Sequence, residues 1–238
     1  MDVINNTFTS CDFGIYYWET GLGRPVRINS NNLTSGYDAS GVAASIAGVA
    51  FFMSYGDDVP VEISDNTITD YLYGIAALKM CGTADVNLHP VIANNIINYS
   101  NDQNHLGTAN YYAILLQNCK NLTTANNSVW VSAPTDPSGY AFRLQDIRAT
   151  DCQNTIFNAN SITNHGIGIY LNNNASGNIL TCNVTENTRP GFFFQDVFNL
   201  PQQGSANTSN LNHWLCDFSL NSGHQKIDVV TTNPAPID

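Results

Sequence analysis

Surface chemistry needs groups that move protons, hold metal ions or stack on a ligand, and this sequence is sparing with the first two. Its cations are scattered: Arg24 and Arg27 share a loop, Arg143 stands alone on an expected strand with Arg148 following it in a loop, and Lys79, Lys120 and Lys226 fall in no common column. Asp57-Asp58 is the only adjacent acidic pair. It suits a solvated loop tip or a weak calcium contact better than proton transfer, which needs an acid and a base held together. The histidines at 89, 105, 165, 213 and 224 fall at no zinc spacing, and the 6 cysteines include no CxxC. No metal site or other cofactor is therefore expected, calcium at Asp57 and Asp58 being the one weak alternative. Aromatic rings are plentiful, with 11 Tyr, 11 Phe and 3 Trp, and rings bind by stacking.

The elements that position such groups must suit an unusual composition. Of 238 residues only 11% are charged, against roughly 25% in an average globular chain. Asparagine takes over the polar role, with 33 copies. The formal charge of −11 and a pI near 4.5 argue against nucleic acid and anionic membranes as partners. The longest apolar stretch, Val42 to Met53, is broken at Ser45 and Gly48 and falls short of the roughly 20 residues that span a bilayer, so membrane insertion is not expected. Met1 runs directly into Asp2-Val3-Ile4-Asn5-Asn6 without a basic or apolar leader, which reads as a piece of a longer protein.

One repeat, apolar-x-x-Asn-x-apolar, organises the chain. It occurs at Val3/Asn6/Phe8, Ile28/Asn31/Leu33, Ile63/Asn66/Ile68, Ile92/Asn95/Ile97, Thr124/Asn127/Val129, Phe157/Asn160/Ile162 and Leu180/Asn183/Thr185. The asparagines are spaced by 25, 35, 29, 32, 33 and 23 residues. Such irregular spacing around a constant motif predicts a coil of fixed cross-section with loops of free length. Stacked asparagines would tolerate the tight turn and bond their copies above and below in a ladder.

A second column follows each asparagine. Period-two alternation turns Ile15, Val49, Ile75, Ile114, Phe142, Ile169 and Phe192 inward, with Tyr17, Phe51, Ala77, Leu116, Leu144, Leu171 and Phe194 two residues on. Between these, Gly14, Gly48, Gly74, Ala113, Ala141, Gly168 and Gly191 are predicted to form a flat outward floor. Beside it lies an outward column that includes Tyr16, Leu115, Arg143, Tyr170 and Phe193. These five are the candidate ligand-binding residues, because rings and a guanidinium can stack on sugar faces or receive a protein surface. The alternative is that a loop such as 36–47 or 100–111 folds over them.

The rungs from Asn66 to Ile75, from Leu116 to Val129 and from Asn160 to Leu171 resemble the pectate-lyase-like right-handed parallel β-helix over roughly residues 3–197. The resemblance implies an all-β solenoid of about seven rungs. It leaves activity open, since such helices serve polysaccharide lyases and hydrolases, tailspikes and non-catalytic adhesins. Lyase chemistry would require basic residues converging on one sheet with calcium-holding acids, and the hydrolases' Asn-Thr-Asp, Gly-His-Gly and Arg-Ile-Lys sequences are missing. An enzyme would have to bring Asp57, Asp58, Asp136 or Asp146 to an arginine.

Cys119 and Cys152 each precede their asparagine by eight residues, and Cys81 holds a similar place, so the three are expected to stack as small buried hydrophobes, with free thiols favoured over a Cys119–Cys152 bridge. Threonine pairs such as Thr7/Thr9 and Thr67/Thr69 follow from β-propensity. The expected layout is rungs over 1–197, an irregular C-terminal rung or cap over 198–230 and a linker-like tail over 231–238. The expected role is a non-catalytic module of a larger secreted or cell-surface bacterial protein, for rigid display, adhesion or glycan binding. Its partners would be a polysaccharide or a surface protein, the adjoining domains of its parent, or further copies joined through the Gly/Ala floor. A polysaccharide lyase or glycoside hydrolase and a tailspike-like trimeric fibre are the alternatives.

Overall fold

The structure is a computed structural model that describes residues 1–19, 25–36, 45–53, 60–99, 111–131, 144–163, 167–173, 176–186, 191–195, 212–215 and 227–230. The chain coils into a parallel β-helix with three sheets. Sheet A stacks Asp2–Ile4, Val26–Asn29, Val61–Ser64, Val91–Ala93, Thr123–Ala125, Ile156–Asn158 and Ile179–Thr181 in that order. Sheet B stacks Thr7–Thr9, Asn32–Thr34, Thr67–Thr69, Ile96–Tyr99, Ser128–Val131, Ser161–Thr163, Val184–Glu186 and His213–Leu215. Sheet C stacks Phe13–Glu19, Ala47–Met53, Tyr73–Leu78, Tyr111–Gln117, Leu144–Thr150, Ile167–Asn172, Phe192–Gln195 and Ile227–Val230. Seven rungs are complete, and the strands 213–215 and 227–230 continue sheets B and C in parallel as an eighth. The C-terminal segment thus extends the coil in two of its sheets.

The asparagine repeat is a hydrogen-bonded ladder. Asn66 shows the unit: its backbone N–H and its Nδ2 both donate to Asn95 Oδ1, at 3.1 and 2.9 Å, and Nδ2 also donates to the Ile28 carbonyl at 2.8 Å. The same linkage runs from Asn6 through Asn31, Asn95, Asn127, Asn160 and Asn183, and ends on Asn212 Oδ1. Left-handed backbone is needed one residue earlier, at Asn5, Ser30, Asp65, Asn94, Asn126, Ala159 and Cys182, with φ between 50 and 58°. The two tasks assigned to asparagine are therefore divided between neighbours. That Ala159 and Cys182 accept this conformation, at roughly 1–2 kcal/mol each, shows that the ladder and the flanking sheets override local preference.

Inside, Ile28, Ile63, Ile92, Phe157 and Leu180 of sheet A meet Leu33, Ile68, Ile97, Val129 and Ile162 of sheet B, and sheet C closes the triangle. The inward columns expected for sheet C hold in every complete rung but the fifth. There Ile114 pairs with Ile147 and Leu116 with Ala149, so Ile147 and Ala149 fill the core where Phe142 and Leu144 were expected. Leu144 instead pairs with Tyr111, and Phe142 lies outside the described residues. The extra residues of this rung precede its sheet-C strand.

The Gly/Ala column also needs correction. A Cβ on Gly14 would lie 2.4 Å from Leu33 Cδ2, on Gly48 2.6 Å from Ile68 Cγ2, and on Gly74 2.8 Å from Ile97 Cγ2. All three neighbours are inward residues of sheet B, and Ala113 is itself in the core. The strand pairing steps over this column, from Phe13↔Ala47 to Ile15↔Val49 and from Tyr112↔Tyr73 to Ile114↔Ile75. Two successive positions therefore face inward, which strict alternation does not allow. At Gly14, Gly48 and Gly74 the column is the corner where sheet C meets sheet B, with no room for a side chain. It offers no outward floor for a second copy to use.

Tyr71 sits fully buried at the same corner, its hydroxyl donating to the Thr34 carbonyl at 3.4 Å. Burial pushes its pKa up to about 12, above the 10 of a free tyrosine. The folded state thus holds the Tyr71 proton more tightly than the unfolded chain, and the stability from this site is full below pH 10 and lost as pH rises to 12. Tyr71→Phe is expected to flatten the decline in urea midpoint over that window relative to wild type; parallel declines would contradict the assignment. For the ladder, Asn95→Ala strands the amide groups of Asn66 in a dry site and is expected to cost about 3 kcal/mol in urea unfolding. Asn32→Ala, at an exposed asparagine outside the ladder in the sheet-B strand Asn32–Thr34, is expected to cost less than about 0.5 kcal/mol.

Candidate functional site

Sheet C is the face flanked by segments of varying length, because sheets A and B are joined by a turn of only two residues in each of the seven complete rungs. Its outward column reads Tyr16, Ala50, Ala76, Leu115, Arg148, Tyr170 and Phe193. Arg148 therefore occupies the position expected of Arg143, which lies outside the described residues together with Asp57, Asp58, Asp136 and His165. Arg148 is on a strand rather than in a loop.

Arg148 is held from several sides. Its Nη1 donates to the Tyr112 hydroxyl at 2.9 Å and its Nε to Thr150 Oγ1 at 3.2 Å. The guanidinium carbon lies 5.4 Å from the Tyr112 ring centroid and 5.1 Å from that of Tyr170, a cation–π contact on two rings. Tyr112 in turn stacks on Tyr73, with centroids 5.5 Å apart and planes 6° from parallel. Thr150 donates to Asn172 Oδ1 at 2.5 Å, Tyr170 bonds Gln195, and the Tyr170 ring meets Phe193 at 4.8 Å. The central and C-terminal part of the face is thus a cross-linked array. Tyr170 is only 6% exposed, so it is withdrawn from solvent; the candidate covering segments 36–47 and 100–111 lie mostly outside the described residues.

The first two rungs differ. Tyr16 is 52% exposed and Trp18 58%, and both pack against the half-buried Phe52 of the next rung. Tyr16 lies 5.5 Å from Phe52 and 5.4 Å from Phe13, and Trp18 lies 5.8 Å from Phe52 with planes 22° apart. Of the five expected binding residues, Tyr16 belongs to this open cluster, Leu115 and Phe193 are half-buried along the column, and Tyr170 is interior to the array. Phe13, Trp18 and Phe52 went unselected, although one further step of the alternation after Tyr16 reaches Trp18 and the same step after Ala50 reaches Phe52, while Phe13 lies beyond the Gly14 corner where the alternation breaks.

The remaining reactive groups stand apart from this face. Arg27 is paired with Asp2 at 2.6 Å on sheet A. Among the described residues no three His, Cys, Asp or Glu side chains converge closely enough to hold a metal ion. Comparison of the chain with protein-family models, curated proteins and solved structures finds no match in any of the three.

The described cysteines are free thiols. Cys119 and Cys152 are buried in successive rungs, Cys119 Sγ donating to the Ala77 carbonyl at 3.3 Å and Cys152 Sγ to that of Thr150 at 3.3 Å. Cys81 pairs with Lys120, one place out of step, so Met80 fills the third sulfur position beneath Cys119. Burial, reinforced by the Cys152 side chain, pushes the Cys119 thiol well above its ordinary pKa. Iodoacetamide at pH 8 is therefore expected to modify the exposed Cys182 in the folded protein, and Cys119 and Cys152 only in urea, as read by peptide mass mapping. Rapid labelling of Cys119 without denaturant would contradict this packing.

Proposed function

We propose that this chain is a non-catalytic β-helical binding and display module, working in a larger secreted or cell-surface protein of the pectate-lyase-like β-helix type. The observation that carries the reading is the open ring cluster of Phe13, Tyr16, Trp18 and Phe52 on an otherwise closed sheet-C face. Large exposed aromatic groups are a solubility cost unless a ligand uses them. Their placement on paired strands means that little ring motion is lost on binding.

Arg148 supports binding over catalysis. Its guanidinium is committed to Tyr112, Thr150 and two aromatic faces. Among the described residues, the contacts on this face are with rings, amides and hydroxyls, which suit recognition.

The test is a panel of soluble polysaccharides assayed on the purified chain for product release and for retention, with and without calcium. The expected outcome is no new reducing ends or unsaturated products, retention of at least one polymer independent of calcium, and loss of retention in Tyr16→Ala. Release of products from any polymer would overturn the non-catalytic reading.

A further inference from the structure

We propose that the platform formed by Phe13, Tyr16, Trp18 and Phe52 binds an uncharged polysaccharide, an inference that rests on the binding-module reading and names its ligand class. Trp18 and Phe52 are register partners on adjacent rungs, and their planes differ by 22°. Stacked across the rungs at 5.8 Å, the two rings hold each other in place and leave the exposed part of the Trp18 indole open to a flat ligand. Tyr16 extends it at 5.5 Å from Phe52, and Phe13 props Tyr16 edge-on at 71°. An indole and a phenol each pair an apolar face with a hydrogen-bonding edge. A pyranose has the matching form, a C–H face bounded by hydroxyls.

Charge selects among glycans. The strands Phe13–Glu19 and Ala47–Met53 contain no cation, Asp12 stands exposed just before the first of them, and the whole chain carries −11. A polyuronate or sulfated polymer would approach a surface of its own sign with no positive group in either strand to offset the repulsion. An uncharged polymer meets no such penalty.

Area separates a glycan from a protein partner. Rings of this kind bury about 150–250 Å² each when fully covered, and Tyr16 and Trp18 are about half exposed. With the half-buried Phe13 and Phe52 the platform amounts to about 300–400 Å², well under the ~800 Å² per partner of a stable protein interface. It matches a few sugar units of a chain.

The experiment is affinity electrophoresis of wild type, Trp18→Ala and Trp18→Phe through gels containing mixed-linkage β-glucan, xyloglucan, galactomannan or amylose, and in parallel polygalacturonate or alginate. Circular dichroism melting of each variant checks that it folds. The expected result is retardation by at least one uncharged polymer, weakened at least tenfold in Trp18→Ala at unchanged melting temperature and kept in Trp18→Phe, with none by the acidic polymers. Trp18-dependent retardation by an acidic polymer would overturn the ligand class and leave the binding-module reading standing. Uncharged-polymer binding that Trp18→Ala does not alter would overturn this site alone. Retardation by no polymer would overturn the inference. Trp18-dependent dimerisation in light scattering would overturn it in favour of a protein interface. Product release would remove the module reading as well.

Discussion

The amide-to-amide hydrogen bond between stacked asparagines is the constraint from which the rest of this protein follows. From Asn31 to Asn183 each ladder asparagine spends both side-chain protons and its oxygen on groups of neighbouring rungs, so none of its polar atoms is left for water, and this part of the column is buried with its polar groups satisfied. A rung that slipped by one residue would present a different side chain to this column and expose its inward apolar set to water, losing both terms together. Register is therefore set at one corner of the triangle and carried into the sheets on either side. The left-handed residue just before each asparagine is a consequence, since only a tight turn brings successive ladder residues into line.

Fixing one corner leaves the others free. The joint between sheets A and B keeps two residues from Asn6 to Asn183, with Ser30, Asp65, Ala159 and Cys182 all serving where asparagine might be thought necessary. Segments before and after sheet C vary in length from rung to rung, which is why the ladder spacing is irregular while the ladder is not. A closed, hydrogen-bonded backbone frame with few charges then lets the outward side chains of sheet C be selected for contact rather than for folding. Arg148, Tyr112 and Tyr170 are used to cross-link that face, whereas Tyr16 and Trp18 are not.

The solenoid, its ladder and nearly all its core columns were legible in one sequence, because a repeat displays the same physical demand seven times and chance cannot imitate it. The misreadings have two causes. Placing Phe142 and Leu144 in the fifth rung assumed that the next apolar alternation after the inserted segment was the strand. The 33-residue separation of Asn127 and Asn160, shared by Cys119 and Cys152, already matched Ile114 to Ile147. The Gly/Ala column was turned outward by assuming an unbroken pleat, and its restriction to small residues was in fact the signature of a corner, where a side chain would strike Leu33, Ile68 or Ile97. Tyr16 was legible as an outward ring, but whether a ring is open or covered depends on the course of distant segments, which periodicity does not encode. Tyr170 has the same column and residue type as Tyr16 and a ninefold lower fractional exposure, with Arg148, Phe193 and Gln195 packed around it.

That contrast bears on how such a fold acquires a ligand site at all. The stacked sheets of a parallel β-helix present nearly flat, uniform columns, and uniformity gives a ligand no reason to prefer one place. Preference arises where the stacking pattern is interrupted: Ala50 and Ala76 separate the rings of the first rungs from the Arg148 array, so the column divides into two chemically different stretches. In one, cation and rings saturate each other; in the other, rings meet only rings and solvent. Buried stacking among Tyr17 and Phe51 on the inward side, at 4.7 Å and 16°, holds the strands that carry Tyr16, Trp18 and Phe52, so the same two rungs present aromatic pairs on both faces. The inner pair belongs to the core, and the outer cluster, which contributes little to burial, is the part of these rungs to which the binding proposal assigns its ligand.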